Sequence, residues 1–471
     1  MWWPTAQLQC HGSRPTTVMA TLPNGGRWLT GCELAAAIQA GELTSAAALE
    51  AALDRCAVAN PALNAVVVLD AEAARARAAE ADAALAKGEV WGPLHGVPMT
   101  VKENISVAGL PCLVPAGEST MVMEADEPLI QRLKSAGAVL FGKTNAPVDL
   151  ADWQSYNPVY GRTNNPWNLG VTPGGSSGGS ASAVAAGITA LEVGGDIGGS
   201  VRIPASLCGV YGHKATMGII PKPGFATPQD LAVKGPIARS PEDLALLMDV
   251  LGTTGLQSLT PTGPGLVLQL PRPTKKTLAE YTFAVWADDP ICPVDSETKA
   301  VTAAVVASLR AVGATVSEIA RPAFDAAEMF RIYLTLLGAT MSWSAEGEVR
   351  AMHEAVAAKF GPAPPAEGAA AVAAEAAESF EECAARAAIP EYRRWHRADD
   401  RRHELRDVWR QFFATEADVM ICPAFSRAAY PHTGDDGAFW PFWRDTCELQ
   451  HKCPDCSELS IENAERMENY P

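Results

Sequence analysis

The chain has 471 residues, of which 48% are hydrophobic and 19% are charged, a composition typical of a globular protein with a large core. Its formal net charge of −17 argues against binding to nucleic acid and to anionic membranes, because both repel an acidic surface. No uncharged apolar run reaches the roughly 18 residues that a membrane-spanning helix needs, so we expect no transmembrane segment.

The two ends of the chain differ in composition from the middle. Residues 1–25 contain no acidic side chain, and we interpret them as a disordered tail, with an organelle-targeting segment as the alternative. Residues 436–471 form a second, divergent tail with four metal-like side chains: Cys447, His451, Cys453 and Cys456. All four lie close together without a second pair to frame them, so we expect incidental cysteines and no metal site.

The eleven cysteines are an odd number, and most lie in apolar segments. This pattern is typical of reduced, buried thiols, and it favours an intracellular, cytoplasmic protein.

Helical and strand patterns alternate between the two tails. Helices are predicted at these positions in chain order: two within 29–58, then 71–87, 128–136, 181–186, 241–251, 296–312, 370–387 and 396–415. Strands are predicted at 95–101, 138–141, 282–286, 315–319 and 418–422. Residues 253–278 and 361–373 have loop compositions. The alternation favours an α/β sandwich around a mixed sheet.

Ser200 is the candidate nucleophile, because it ends a glycine-rich string that begins at Asp196. Glycine at this density marks places where the backbone approaches another group closely. Ile197, Gly198 and Gly199 precede the serine and can direct backbone N–H groups at a developing oxyanion. The alternative is a tight turn that carries a surface serine.

Ser176 lies in a second cluster, Gly174–Gly179, and is the candidate proton relay for Ser200. The alternative is an anion-binding glycine loop. No Gly-Lys-Ser/Thr sequence follows, which argues against a nucleotide P-loop.

Lys102 directly follows an apolar, strand-like run and is the candidate general base. Burial at such a position lowers the pKa of a lysine, and a neutral lysine accepts protons. The alternative is an ordinary lysine at the end of a strand.

Ser177 lies at the centre of a Gly-x-Ser-x-Gly string, the pattern of the α/β-hydrolase nucleophile elbow. That elbow needs a buried strand before the serine, whereas residues 164–173 have a loop composition. His432 is the nearest candidate partner for this less favoured interpretation.

Six segments together resemble the amidase signature family, over roughly residues 27–432. They are GVPMTVKENI around Lys102, LFGKTNAP at 140–147, GRTNNPW at 161–167, PGGSSGGSASAVAAG at 173–187, GGDIGGSVRIPASLCGVYGHKAT at 194–216 and GPIARSPEDLALL at 235–247. The resemblance implies one large α/β/α domain, placed at residues 26–435, with a central mixed sheet of about eleven strands. It implies no cofactor and no metal.

The resemblance also implies a role for each candidate residue. Ser200 matches the nucleophile, Ser176 the bridging serine of a cis peptide, and Lys102 the base of a Ser–cis-Ser–Lys triad. Ile197, Gly198 and Gly199 match the oxyanion loop. Three further residues match supporting positions: Ser177, Asp196 and Arg202.

The implied function is hydrolysis of small-molecule carboxylic amides through an acyl-enzyme, by a protein that is a candidate homodimer. Two alternatives stay open. One is an inactive amidase-like protein, because the family's closing strands are not found after Pro423. The other is the amidase-like component of a glutamine amidotransferase, which would need a partner protein.

Overall fold

The computed structural model describes residues 28–114, 119–220, 231–252, 273–342, 347–361, 368–389 and 391–433. Both predicted tails, 1–25 and 436–471, lie outside the described residues, as do the four candidate metal ligands of the second tail. Most of the predicted connection at 253–278 also lies outside them.

Thirteen α-helices occur in the described residues. They are α1 Gly31–Gln39, α2 Ser45–Leu63, α3 Ala71–Leu85, α4 Pro128–Ser135, α5 Gly178–Ala185, α6 Arg202–Cys208, α7 Pro241–Gly252, α8 Ser296–Ala311, α9 Ala326–Ser342, α10 Gly347–Ala358, α11 Gly368–Ala377, α12 Phe380–Ala387 and α13 Tyr392–Thr415. Thr44 caps α2 by accepting a hydrogen bond from the Ala47 N–H.

Thirteen strands occur in the same residues. They are β1 Val66–Leu69, β2 Pro98–Lys102, β3 Pro111–Leu113, β4 Thr120–Val122, β5 Val139–Thr144, β6 Tyr156–Asn157, β7 Gly161–Arg162, β8 Leu191–Asp196, β9 Tyr211–Gly212, β10 Val233–Ala238, β11 Thr282–Val285, β12 Thr315–Ser317 and β13 Val419–Ile421.

Two three-stranded sheets lie side by side at the centre. The first has the order β1-β5-β2, with β2 parallel to β5 and β1 antiparallel to it. The second has the order β8-β10-β9 and is antiparallel. Strand β2 neighbours β8, and the Thr100 hydroxyl donates to the Glu192 carboxylate across the junction.

Apolar clusters cover both faces of these strands. One cluster contains buried side chains of α1, α4 and α7, and the other contains those of α2, α3 and α5. Strand β5 serves both, because Val139 and Phe141 belong to the second cluster while Leu140 packs against the first. This alternation of faces is expected from the two-residue period of a strand, and it gives the α/β/α layering.

A third sheet, β12-β11-β13, is parallel throughout. Helix α8 connects β11 to β12, as parallel neighbours require a crossover connection. Helices α9, α12 and α13 pack against one another beside this sheet.

The α/β class is confirmed, but the strands are arranged differently from the implied single sheet. The described strands form three three-stranded sheets and two hairpins rather than one ladder of about eleven. At the junction of β2 and β8 the link is a side-chain hydrogen bond, which holds the strands together without a backbone ladder.

Two other expectations need correction. Helix α2 continues to Leu63, with Pro61 in its last turn, beyond the predicted limit at residue 58. The second half of the predicted loop 361–373 is helical, since α11 begins at Gly368, and its alanine-rich sequence has high helix propensity. Among the described residues, no helix has the length and apolar character needed to cross a membrane.

Candidate active site

Lys102 and Ser176 are joined by a buried hydrogen bond. Lys102 ends β2 and is 0% exposed, and its Nζ donates to Ser176 Oγ at 2.7 Å. Ser176 lies in the loop before α5 and is 1% exposed. The structure therefore brings together the predicted base and the predicted relay, which are separated by 74 positions in the chain.

The loop that carries Ser176 is fixed by backbone contacts. The Gly175–Ser176 peptide bond is cis. A Cβ at Gly175 would collide with the carbonyl oxygens of Asp152 and Gln154, so only glycine fits there. Ser155 Oγ accepts from the Gly178 N–H at 3.0 Å and lies 3.2 Å from the Gly174 carbonyl oxygen.

Ser200 lies directly against this loop. The Ser177 N–H donates to the Ser200 carbonyl at 3.1 Å, so the chain neighbour of Ser176 is bonded to the backbone of Ser200. Ser200 is 4% exposed. The Ser177 hydroxyl donates to the Gly195 carbonyl at 3.4 Å, which ties the same loop to β8.

Asp196 braces the string that leads to Ser200. Its carboxylate accepts from the N–H groups of Gly199 at 3.0 Å and Val201 at 3.1 Å. Arg202 completes the set through its Nε at 3.0 Å and its Nη2 at 2.9 Å. Burial alone would raise the pKa of Asp196, but the hydrogen bonds and charge of Arg202 outweigh it and hold that pKa below its usual range.

Gly198 and Gly199 differ in their contacts. Gly199 has φ 103°, a conformation that favours glycine, and its N–H is directed at Asp196. The Gly198 carbonyl accepts from Trp153 Nε1 at 3.0 Å. A Cβ at Gly198 would lie 2.5 Å from the Tyr333 hydroxyl, so α9 covers this side of the loop.

A family model described as Amidase matches residues 47–443. The chain belongs to the amidase signature family. Among curated relatives, it is 39% identical over 228 residues to an "Acylamidase" from Rhodococcus erythropolis, a match covering 48% of this chain and 47% of that protein. It is 37% identical over 304 residues to a component of a "Glutamyl-tRNA(Gln) amidotransferase" from a Synechococcus species, covering 61% and 59%. These matches span about half the length of the relatives.

A solved structure of "Fatty acid amide hydrolase" superposes on the chain with a TM-score of 0.69 at 25% identity. The superposition covers 89% of this chain and 71% of that one. The family model and the structural superposition therefore confirm the family resemblance seen in the sequence.

Four charged side chains act on the buried amine of this amidase-family site. Burial lowers the pKa of Lys102 well below its usual value, and the positive charge of Lys234 lowers it further. Asp196, Glu103 and Glu192 oppose this effect with negative charge. The net result favours the neutral amine, which is the form that accepts a proton.

Glu192 and Glu127 are two buried carboxyls that the sequence analysis missed. Burial raises the pKa of Glu192 to about 8, although Thr100 and Thr144 donate to its carboxylate. Glu127 precedes α4 and lies 3.8 Å from Lys234 Nζ, and burial raises its pKa too. Charged residues inside apolar strands were the available sequence signal for Glu192 and Lys234.

The elbow interpretation of Ser177 is not supported by the structure. The Ser177 hydroxyl is engaged by the Gly195 carbonyl, and His432 Nε2 lies 3.3 Å from the Leu169 carbonyl oxygen. Loop residues 164–170 precede the serine instead of a buried strand. In the described part of the chain, no cluster of three or more His, Cys, Asp or Glu side chains is arranged to hold a metal.

Proposed function

We propose that this protein is a serine amidohydrolase that cleaves carboxylic amides through an acyl-enzyme on Ser200. The observation that carries the proposal is the buried Lys102–Ser176 hydrogen bond next to the backbone of Ser200. A lysine with a lowered pKa and a serine bonded to it fit the roles of base and proton relay, and the next residue, Ser177, is hydrogen-bonded to the backbone of Ser200.

The proposed reaction begins with proton transfer. Neutral Lys102 takes the proton of Ser176, and Ser176 takes the proton of Ser200 as its oxygen attacks the amide carbonyl. The relayed proton then passes to the leaving amine. Water repeats the sequence on the acyl ester, releasing the carboxylic acid and restoring Ser200.

In this proposal, backbone N–H groups of the Ile197–Ser200 string stabilise the oxyanion of the tetrahedral intermediate by hydrogen bonding. Because the Gly199 N–H already donates to Asp196, we assign the contact to Ile197 and Gly198 and give Gly199 a bracing role. This assignment revises the equal role that the sequence gave to the three residues.

The test is labelling by a fluorophosphonate probe, which modifies activated serines. We expect Ser200→Ala to abolish labelling and Lys102→Met to slow it by about 100-fold or more. Ser182→Ala is the matched control, because Ser182 is a buried α5 serine that donates to the Asn164 carbonyl. A folded wild-type protein that resists the probe, or label on a serine other than Ser200, contradicts the proposal.

A second candidate function, as the amidase-like component of a glutamine amidotransferase, is favoured by the match to the Synechococcus protein over 61% of this chain. The two candidates differ in substrate. A hydrolase releases ammonia or an amine from simple acyl amides as a purified chain. An amidotransferase component would act on glutamine only after its partner is added.

We also propose residues 26–435 as the catalytic unit, and the family match at residues 47–443 supports this proposal. Limited proteolysis followed by mass measurement checks these limits. The cytoplasmic location and the homodimer stay predictions, which cell fractionation and light scattering check.

A further inference from the structure

A lysine and a cysteine face each other inside the protein, close to the end of β2. Lys143 Nζ, on β5, lies 2.8 Å from Cys112 Sγ, on β3. Lys143 is 0% exposed and Cys112 is 7% exposed. This separation is short for a nitrogen–sulfur hydrogen bond, because sulfur is larger than oxygen. It is close to the span of two single bonds that meet at one bridging atom.

The two groups are held in this position by neighbouring backbone. Lys143 Nζ also donates to the Pro111 carbonyl at 2.5 Å. The Cys112 thiol donates to the Glu103 carbonyl, with a sulfur–oxygen distance of 3.3 Å. Burial raises the pKa of the Cys112 thiol, and the charge of Lys143 opposes that shift. Neither side chain can move away without breaking these contacts.

The pair is adjacent to the proposed base. Lys143 is paired with Val101 in the register of β5 and β2, so it lies one position from Lys102. The peptide whose carbonyl accepts from Cys112 belongs to Glu103, on the other side of Lys102. A change in the pair is therefore transmitted directly to the backbone of Lys102.

We propose that Cys112 and Lys143 are an oxidative modification site, at which a covalent Nζ–O–Sγ bridge forms when the protein meets dioxygen or a peroxide. With dioxygen, the Lys143 ammonium gives up one proton to the medium, and the thiol S–H bond and one N–H bond of the resulting amine break, along with the O–O bond. One oxygen atom forms the new N–O and O–S bonds, and the other leaves as water with the two hydrogens. Sulfur and nitrogen are oxidised, and dioxygen is reduced. With hydrogen peroxide, two peroxide molecules replace dioxygen and three waters leave.

One cavity of the protein contains a second buried cysteine, Cys56. It has a volume of about 610 Å³ and is lined by residues of α2, β1 and α3 together with Tyr160. Cys56 lines the same cavity, and burial alone raises its pKa to about 11.

Cys56 is therefore the matched control for Cys112. A thiol that oxidises only because an oxidant enters the cavity would do so at Cys56 as well. A thiol that reacts because of its lysine would do so at Cys112 alone.

The primary experiment is mass spectrometry of the full chain, reduced with dithiothreitol and then exposed to air or hydrogen peroxide. We expect a gain of about 14 Da, which equals one oxygen added and two hydrogens removed. A tryptic digest should give a crosslinked peptide joining Cys112 and Lys143, and dithiothreitol should separate it. The crosslink should persist in Cys56→Ser and be absent in Cys112→Ser and Lys143→Met.

Thermal melting shows whether each variant is folded. If Lys143→Met does not fold, the presence or absence of the crosslinked peptide in the wild-type digest tests the proposal. Separate Cys112 and Lys143 peptides after oxidation overturn the proposal. So does direct conversion of Cys112 to a sulfinic acid, which adds about 32 Da.

A second readout rests on the proposed function. The bridged protein should react with the fluorophosphonate about tenfold more slowly, because small displacements of a catalytic group are costly. Dithiothreitol should restore the rate, and Cys112→Ser should be insensitive to peroxide. Since the mass gain is measured independently of labelling, failure of the crosslink and failure of the amidase proposal are distinguished.

Discussion

At the scale of single residues, the site depends on placing ionisable groups where water does not reach them. Lys102 is fully buried, and its pKa is lowered by burial and by Lys234. A charged amine in that position would be costly, so the fold keeps a neutral amine there, the base of the proposed reaction, at the expense of stability.

Replacing Lys102 by methionine should make the protein more stable and inactive. A lysine whose folded pKa is lowered contributes stability above its unfolded pKa, near 10.5, and that stability is lost as pH falls through the folded pKa. Lys102→Met should therefore raise the free energy of unfolding by about 1 kcal/mol or more at pH 7. Chemical denaturation at pH 7 and pH 10 checks this. An equal gain at both pH values would contradict the linkage.

Lys234 should set the pH dependence of labelling. Removing its positive charge makes Lys102 easier to protonate, so Lys234→Met should move the rise of labelling rate toward higher pH by up to about 1 unit. Lys234→Arg keeps the charge and is the control. Lys234 Nζ lies 3.8 Å from the carboxylate of buried Glu127, so Lys234→Met also takes away a cationic partner of that carboxylate. The double variant Lys234→Met/Glu127→Gln removes this second effect. Identical profiles for the methionine and arginine variants would exclude this role.

At the scale of elements, the candidate site residues lie at the ends of strands and next to the start of a helix. Strand β2 ends at Lys102, β8 ends at Asp196, and α5 follows Ser176. Strand β2 and helix α5 were predicted from an apolar run and a glycine cluster, whereas β8 was not predicted as a strand. The contacts of Ser155 and Lys234 were not predictable, since they depend on how separate loops and sheets pack, and a local pattern carries no such information.

A buried ion pair joins α13 to the connection between α11 and α12. Arg394 donates to both oxygens of Glu378, at 2.9 and 2.6 Å, and both residues are buried. Arg394→Leu should cost about 1–3 kcal/mol of unfolding free energy, because Glu378 loses its bidentate partner and keeps only Arg386, whose Nε lies 3.4 Å away. The double variant Arg394→Leu/Glu378→Leu should recover part of that loss. Urea denaturation measures both, and a double variant less stable than Arg394→Leu argues against this explanation.

At the scale of the whole molecule, the last described residues pack against segments close to the candidate active site. The Thr172 N–H donates to the Tyr430 carbonyl at 2.9 Å, and Gln154 exchanges hydrogen bonds with Thr433. Tyr430 and Ile203 share an apolar cluster against which Trp153 packs. Residues 425–433 therefore support the loop that holds Ser200, which the sequence alone did not indicate because these contacts join segments that are far apart in the chain.

Removing the Tyr430 ring should weaken both the fold and the site. Tyr430→Ala should cost about 3 kcal/mol, and it should slow fluorophosphonate labelling because Trp153 contacts the Gly198 carbonyl. Tyr392→Ala is the control, since Tyr392 is 73% exposed. Melting temperature and labelling rate are the measurements. A Tyr430→Ala protein that matches the control in both would show that this segment is dispensable.

The glycine loops have a consequence for how this protein changes over evolutionary time. Gly175 is required by the carbonyl oxygens around it, whatever chemistry Ser200 performs. A descendant that lost its activity would still keep that glycine, because replacing it would damage the fold. Lys102 is under the opposite pressure, since a lineage released from catalysis would gain stability by losing it. The lysine, more than the glycine motif, is therefore the mark of a lineage still selected for chemistry.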